Sequence, residues 1–419
     1  MAHSDGPRRV FITGMGVVGP HGLGADRTFE AVLEGRSAVT LSETGSDEVA
    51  AEVLVARSPF EAAEHFARSE RMFMARAAAM AVVAAEEALD QAGLDPQDPE
   101  AEELRDAGTW MGCGLGGAEA LEDGFQRYYQ RRTRRAPPST VPLIMANGPA
   151  AHLSMRWGLQ GPSLSYSMAC ASSAASLGEA FRALRAGSVH RALAGGAEAM
   201  LTGGILAAWE ALGVVARTHP DGPEVSCRPF DAARTGMVLG EGAAVFVLET
   251  EEAMADRGAE PLAQLLGYGT ASDAHGLTEP HARGQVEAMR EALADAGVAP
   301  DEVGYVNAHA TGTHTGDRVE TASLRQVFGE AVGAIPVSAT KAVHGHLVGA
   351  AGALELLLTV QALRHRRIPP TAHLTEPDEE ALDLDLVPDP GRDAPGLGIA
   401  LSNSFAFGGS NAALVVGRV

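Results

Sequence analysis

The chain has 419 residues, with 32 Lys and Arg against 54 Asp and Glu, a formal net charge of −22 at neutral pH. That excess of acid argues against nucleic acid and anionic membranes as main partners, because both are held through clustered Lys and Arg. Apolar residues at 46% give ample material for a large core, and at roughly 150 residues per domain the length allows two or three domains.

Three cysteines, Cys113, Cys170 and Cys227, are too few and too scattered for a disulfide framework or a structural zinc site. A reduced, cytoplasmic setting is the expectation. The first residues, MAHSDGPRRV, lack the apolar core of a secretory signal. The most apolar stretch, from Met72 to Ala88, is interrupted by Arg76 and ends in Glu86 and Glu87, which suits a buried helix rather than a membrane span.

In chain order, Val10–Thr13 reads as a strand, followed by the glycine run GMGVVG, Gly14 to Gly19, read as a turn that lets backbones pack closely. That run matches GxGxxG, but Pro20, His21 and Gly22 follow where a dinucleotide site needs an opening helix. An Ala-rich helix is expected over Met72–Ala92. The strand TWMGC leads into GCGLGG, Gly112 to Gly117, a glycine turn able to shape a pocket. Further on, SLSYSMA precedes Cys170, after which small residues start a helix. Ala244–Leu248 reads as a strand, Val286–Ala296 as a helix and Ala412–Val416 as a strand. Such alternation predicts an α/β architecture with buried sheets.

The two halves of the chain echo each other. VFITGMGVVGP corresponds to LAQLLGYGTASDAH, the Cys170 segment and its helix to the His346 segment and its helix, and GAAVFVLET to NAALVVGRV. An internal duplication with halves meeting near residue 255 is expected.

Cys170 at a strand-to-helix junction sits where free backbone N–H groups and the helix dipole favour a thiolate and supply half of an oxyanion hole. Two later segments give it company: AHATGTHTGDRVE, with His309 and His314, and SATKAVHGHLVGAAG, with Lys341, His344 and His346. A nucleophile plus histidines at strand ends is what acyl transfer needs, one group to attack and others to steady a developing oxyanion or enolate. A metal site built from His309, His314, Asp317, His344 and His346 competes, but it lacks the helical spacing of known zinc motifs.

In order, ACAS, CRPFDAARTGMVLGEGAA, AHATGTHTGDRVE, TKAVHGHLVGAAG and SNSFAFGGSN make a set that resembles the β-ketoacyl-acyl-carrier-protein synthases, most closely the elongating type II synthases of fatty acid and of aromatic or polyene polyketide assembly. The resemblance runs from Arg9 to Val416. It implies the thiolase-like fold, a duplicated α-β-α-β-α layering, with residues 1–255 carrying the cysteine and 256–419 the two histidines. Cys170 would accept an acyl chain from carrier-protein phosphopantetheine. His309 and His346 would hydrogen-bond the thioester carbonyl of a malonyl extender and stabilise the enolate left when carbon dioxide departs, while the N–H groups of Cys170 and Phe407 hold the tetrahedral oxyanion. Lys341, paired with Glu320, would orient the histidines. Thr311 and Thr313 match the family's pantetheine-contacting threonines, Phe407 its gating phenylalanine and Leu115 an acyl-pocket gate, with Asp273 near the Phe407 loop. The resemblance requires no metal and no redox cofactor on the enzyme. The implied partners are an acyl carrier protein and a second subunit, in a homodimer or a heterodimer with a related chain.

The sequence departs from the family pattern at four places. Ala310 and Ala406 stand where glycine is usual, which predicts a stiffer Phe407 loop, and His344 introduces a titratable neighbour of His346. Thr140 stands where a bulky residue often reaches across the dimer interface, which leaves room for a longer or stiffer chain. A secondary pathway extending a long or unsaturated chain is therefore expected, against a housekeeping fatty acid synthase or a non-catalytic partner subunit. A degradative thiolase is disfavoured because no cysteine follows Cys227. One basic run, GFQRYYQRRTRRAPP, breaks the acidity, and Arg134 and Arg135, with Arg68 and Arg71, are candidates to dock an acidic carrier.

Overall fold

The computed structural model describes residues 7–44, 51–95, 102–130 and 136–419. Eleven strands lie side by side in its main sheet: β1 (Val10–Gly19), β2 (Gly108–Gly112), β3 (Ser163–Tyr166), β4 (Arg191–Glu198), β5 (Gly242–Thr250), β6 (Ala263–Ser272), β7 (Tyr305–Asn307), β8 (Pro336–Ser338), β9 (Asp385–Leu386), β10 (Ile399–Phe405) and β11 (Ser410–Gly417). Five helices matter for the site: α1 (Arg76–Gln91), α2 (Ser172–Arg185), α3 (Ala282–Ala296), α4 (His314–Phe328) and α5 (Ala351–His365).

Across the sheet the order is β9-β8-β7-β10-β11-β6-β1-β5-β4-β2-β3. From the antiparallel β1–β6 seam outward, each side gives two antiparallel pairings and then two parallel ones, so the two arms repeat one topology. β9 is an addition at the far edge of the second arm. The helices repeat too. α1 packs on β1 and β5, and α3 on β6 and β11, while α2 and α5 touch each other and strands of both arms. α5 is buried on every side from Ala351 to Leu363, as a helix in a central layer must be. The fold is thus the duplicated α-β-α-β-α layering of thiolase-like proteins.

The glycine run after Val10–Thr13 corrects one expectation, because β1 continues through it to Gly19. A Cβ on Gly14 would lie 1.9 Å from the Ala88 carbonyl oxygen and one on Gly16 2.1 Å from that of Ala84, so these glycines let α1 lie directly on the strand. Gly267 and Gly269 do the same for α3 on β6, with equivalent clashes of 2.3 and 2.1 Å. A register shift precedes each glycine pair, between Ile12 and Gly14 and between Leu265 and Gly267. Helix α1 begins at Arg76 rather than Met72, because Ala75 is extended (ψ 157°), and α3 begins four residues before Val286. Among the described residues no helix is long and apolar enough to cross a membrane.

Candidate active site

Cys170, itself buried, occupies the corner between the edge strand β3 and α2. The corner is closed by the Ser172 hydroxyl, which donates to the Ala169 carbonyl (2.6 Å) and accepts from the Met168 N–H (2.8 Å), with Ala169 at a left-handed φ of 45°. His346 lies just before α5, the equivalent place in the second arm. Its backbone is clamped on both sides, donating to the Val238 carbonyl (2.7 Å) and accepting from Gly240 (2.8 Å). His309 follows β7, and its N–H donates to Glu320 Oε1 (2.8 Å). The duplication thereby brings together three side chains far apart in sequence. His346 Nε2 lies 3.0 Å from Cys170 Sγ, and the His309 ring stands edge-on to that of His346 with centroids 5.3 Å apart.

Electrostatics here are set by burial. The Cys170 thiol is pushed up to about 12 by desolvation, against the opposing pull of Lys341 and of the N–H groups of Phe407 and Cys170. The low thiol pKa expected at a helix N-terminus is therefore not realised, because water is excluded from a buried sulfur. Both histidines are held well below the ordinary imidazole range, first by burial and then by the Lys341 ammonium.

Lys341 sits under the site, with Nζ 3.4 Å from His309 Nδ1. Its ion-pair partner is Glu355 on α5, not Glu320 as expected. Glu320 instead accepts from the His309 N–H and from Asn403 Nδ2 (3.3 Å), and burial raises its carboxyl to about 7. An ammonium can only donate, so Lys341 makes Nδ1 of His309 an acceptor and places the ring proton on Nε2.

The residues lie in a cavity of about 360 Å³ lined by Cys170, His309, His346, Thr311, Thr313 and Phe407 among others. The two threonine hydroxyls are 3.1 Å apart. Asp317 supports their loop, accepting from the N–H groups of Thr311, Gly312 and Phe230 and pairing with Arg234 of the CRPFDAAR segment. Asp273 holds the Phe407 loop, since its N–H donates to the Gly409 carbonyl (2.8 Å) and its carboxylate takes N–H groups from His281 and Asn411. The stiffness expected of alanine does not arise, because neither Ala310 nor Ala406 has a positive φ; Gly408 and Gly409 make the turn.

Leu115 and Thr140 are not brought to the cavity. Leu115 is exposed, with its N–H on Glu198, and Thr140 begins a short helix, Thr140–Ile144. The competing metal set is only partly brought together: His309, His314 and His346 line the cavity, and Cys170, His309 and His346 place possible ligand atoms within 4.8 Å of one another, but Asp317 and His344 are engaged elsewhere. Asp317 is used as above, and His344 donates from Nδ1 to the Gly345 carbonyl (2.7 Å) and accepts at Nε2 from Thr340. With its pKa near 3, His344 is neutral beside His346 rather than a competing charge. Arg68 is exposed and Arg71 reaches the Phe66 carbonyl, whereas Arg134 and Arg135 lie outside the described residues. Sequence reading missed Glu355, Trp209 and Glu198. Glu198 is fully buried and ties the Gly114 and Gly349 loops together (2.8 and 3.2 Å).

A duplicated thiolase-like body with a buried cysteine and two neutral histidines at its centre defines an acyltransferase. The Beta-ketoacyl synthase, N-terminal domain family model matches residues 7–253 and the Beta-ketoacyl synthase, C-terminal domain model residues 262–375. The chain is 40% identical to Nodulation protein E of Rhizobium leguminosarum bv. trifolii, over 98% of this chain and all of that protein. It is 36% identical to 3-oxoacyl-[acyl-carrier-protein] synthase 2 of Staphylococcus aureus, over 97% of this chain and 98% of the relative. A solved structure of the ishigamide ketosynthase/chain length factor superposes with a TM-score of 0.89 at 31% identity, covering 99% of this chain and 100% of that one. The chain belongs to the β-ketoacyl synthase family and is an acyltransferase of that family.

Proposed function

We propose that the enzyme performs a decarboxylating Claisen condensation, joining an acyl chain held on Cys170 to malonyl-acyl-carrier protein and lengthening it by two carbons. The 3.0 Å contact between Cys170 Sγ and His346 Nε2 carries this reading. Burial keeps the empty-site thiol protonated, so the sulfur needs a partner that takes its proton as it attacks. His346 is that partner and passes the proton to the departing pantetheine sulfur. In the second step the malonyl carboxylate leaves as carbon dioxide, and its electron pair becomes an enolate whose oxygen accepts from His309 Nε2–H. The enolate carbon attacks the acyl carbonyl, the N–H groups of Cys170 and Phe407 hold the oxyanion, and the Cys170 carbon–sulfur bond breaks, the sulfur leaving as a thiolate that takes a proton from solvent by way of His346. Thr311 and Thr313 line the path of the pantetheine arm. Neither step calls for a metal or a redox cofactor on the enzyme.

The two halves, 1–255 and 256–419, each contribute part of this centre. Its partners are an acyl carrier protein and a second, identical or related, subunit, in the cytoplasm. Arg68, Arg71, Arg134 and Arg135 receive the acidic carrier. Charge reversal of Arg68 with Arg135 is expected to raise KM for carrier-bound substrate and to spare small thioester analogues. Equal effects on both substrates would count against docking there.

Because the histidines stay neutral well below pH 6.5, the malonyl decarboxylation rate should be flat from pH 8 to pH 6. Each imidazole remains neutral above its lowered pKa, His309 as a donor and His346 as an acceptor, so a fall centred near pH 6.5 would speak against this arrangement.

The pathway reading, a type II polyketide or polyene assembly, rests on likeness to the ishigamide ketosynthase/chain length factor. Competitive loading of Cys170 with saturated and polyunsaturated acyl carriers tests it; preference for short saturated chains would return the protein to housekeeping fatty acid elongation. A non-catalytic partner role is disfavoured because Cys170 is retained with its histidine contact.

A further inference from the structure

The Phe407 loop touches a residue that no motif singled out. Trp209 lies on the helix Gly203–Ala211, half-buried, and its indole stacks on the Phe407 ring with centroids 5.8 Å apart and planes 21° from parallel. Both rings pack against the apolar cluster that contains Cys170, Met200, Leu206, Met237 and Val348. The Phe407 N–H points at the Cys170 sulfur, so the ring's position and that N–H are set by one backbone. That backbone is tied on both sides of Phe407. Ala406 donates to Ser410 and Gly408 to the Leu277 carbonyl, while Gly408 and Gly409 take φ of 84° and 69°, a turn that leaves the Phe407 side chain to be located by what it stacks on.

We propose that Trp209 is a positioning residue for the Cys170 centre: its indole holds Phe407 against the cavity wall and thereby keeps the Phe407 N–H on the reacting sulfur, and release of that stack opens the wall beside Cys170. The inference rests on the reading of Cys170 as the acyl-accepting nucleophile. An offset aromatic stack of this kind is strong enough to bias a loop and weak enough to be broken in each cycle.

Trp209→Ala is expected to slow condensation by about 10-fold, through a displaced N–H donor. It should at the same time speed capture of Cys170 by iodoacetamide, because the wall is open more often. Trp209→Phe, which keeps a ring, should return both rates toward wild type. A merely structural role would move both rates down together and would not be rescued by phenylalanine; either result, or no change in either rate, overturns the proposal. A second measurement needs no change in stability. The chain has three tryptophans, so the emission difference between wild type and Trp209→Phe reports Trp209, and that difference should change when Cys170 is acylated. An unchanged difference also overturns it. If iodoacetamide on wild-type Cys170 leaves condensation intact, the nucleophile reading fails instead, whatever the Trp209 variants do.

Discussion

Cys170→Ala is expected to abolish condensation, by on the order of 10⁴-fold or more, as removal of a covalent nucleophile does where the partner groups act as one unit. It should leave the malonyl carrier still able to lose carbon dioxide, since that step draws on His309 and not on the sulfur. The variant should fold, because alanine is smaller than cysteine and brings no polar atom of its own, although His346 Nε2 loses its sulfur partner. The cost of the lost sulfur is about 1 to 2 kcal/mol, readable in a denaturant midpoint. Undiminished condensation in this variant would favour the scaffold role over the catalytic one. Separating condensation from decarboxylation makes the assay informative even if the true acyl substrate is not the one supplied.

His309→Ala should show the opposite division. Cys170 would still be acylated, because His346 rather than His309 lies on the sulfur. Decarboxylation and condensation would fall together by about 10²- to 10³-fold, the cost of one lost donor to a developing oxyanion. The physical basis is the tautomer. Lys341, anchored by Glu355, donates to Nδ1 and leaves the Nε2 proton for the enolate. An acylation defect as large as the condensation defect would place His309 in the first step and contradict this division of labour.

The side chains that meet in the candidate site were legible in the sequence because each stands in a short stretch whose neighbours are also constrained. Cys170 and His346 precede helices that start in small residues, and His309 precedes a Gly/Thr loop whose Asp317 sits within reach of its own backbone. The repeat of strand, glycine pair and helix was legible for the same reason, although the glycines serve strand packing rather than a turn. Partners chosen by three-dimensional packing were not. Glu320 closes the motif that holds His309 and looked the natural partner of Lys341, but its carboxylate points at the His309 N–H, while Glu355 reaches Lys341 from the central helix. Trp209 carries no signal of its own, since an aromatic on a short apolar helix reads as core. The thiol pKa was misjudged because a sequence shows the helix N-terminus but not the exclusion of water around the sulfur.

The central claim is that Cys170 carries the growing chain. The direct measurement is the intact mass of the protein after incubation with acyl-carrier protein, followed by peptide mapping and then by addition of malonyl-carrier protein. The account predicts one added acyl group on the peptide containing Cys170, discharged on malonyl addition to give a carrier-bound chain two carbons longer. No adduct, an adduct on Cys113 or Cys227, or an adduct that malonyl-carrier protein does not discharge would contradict it.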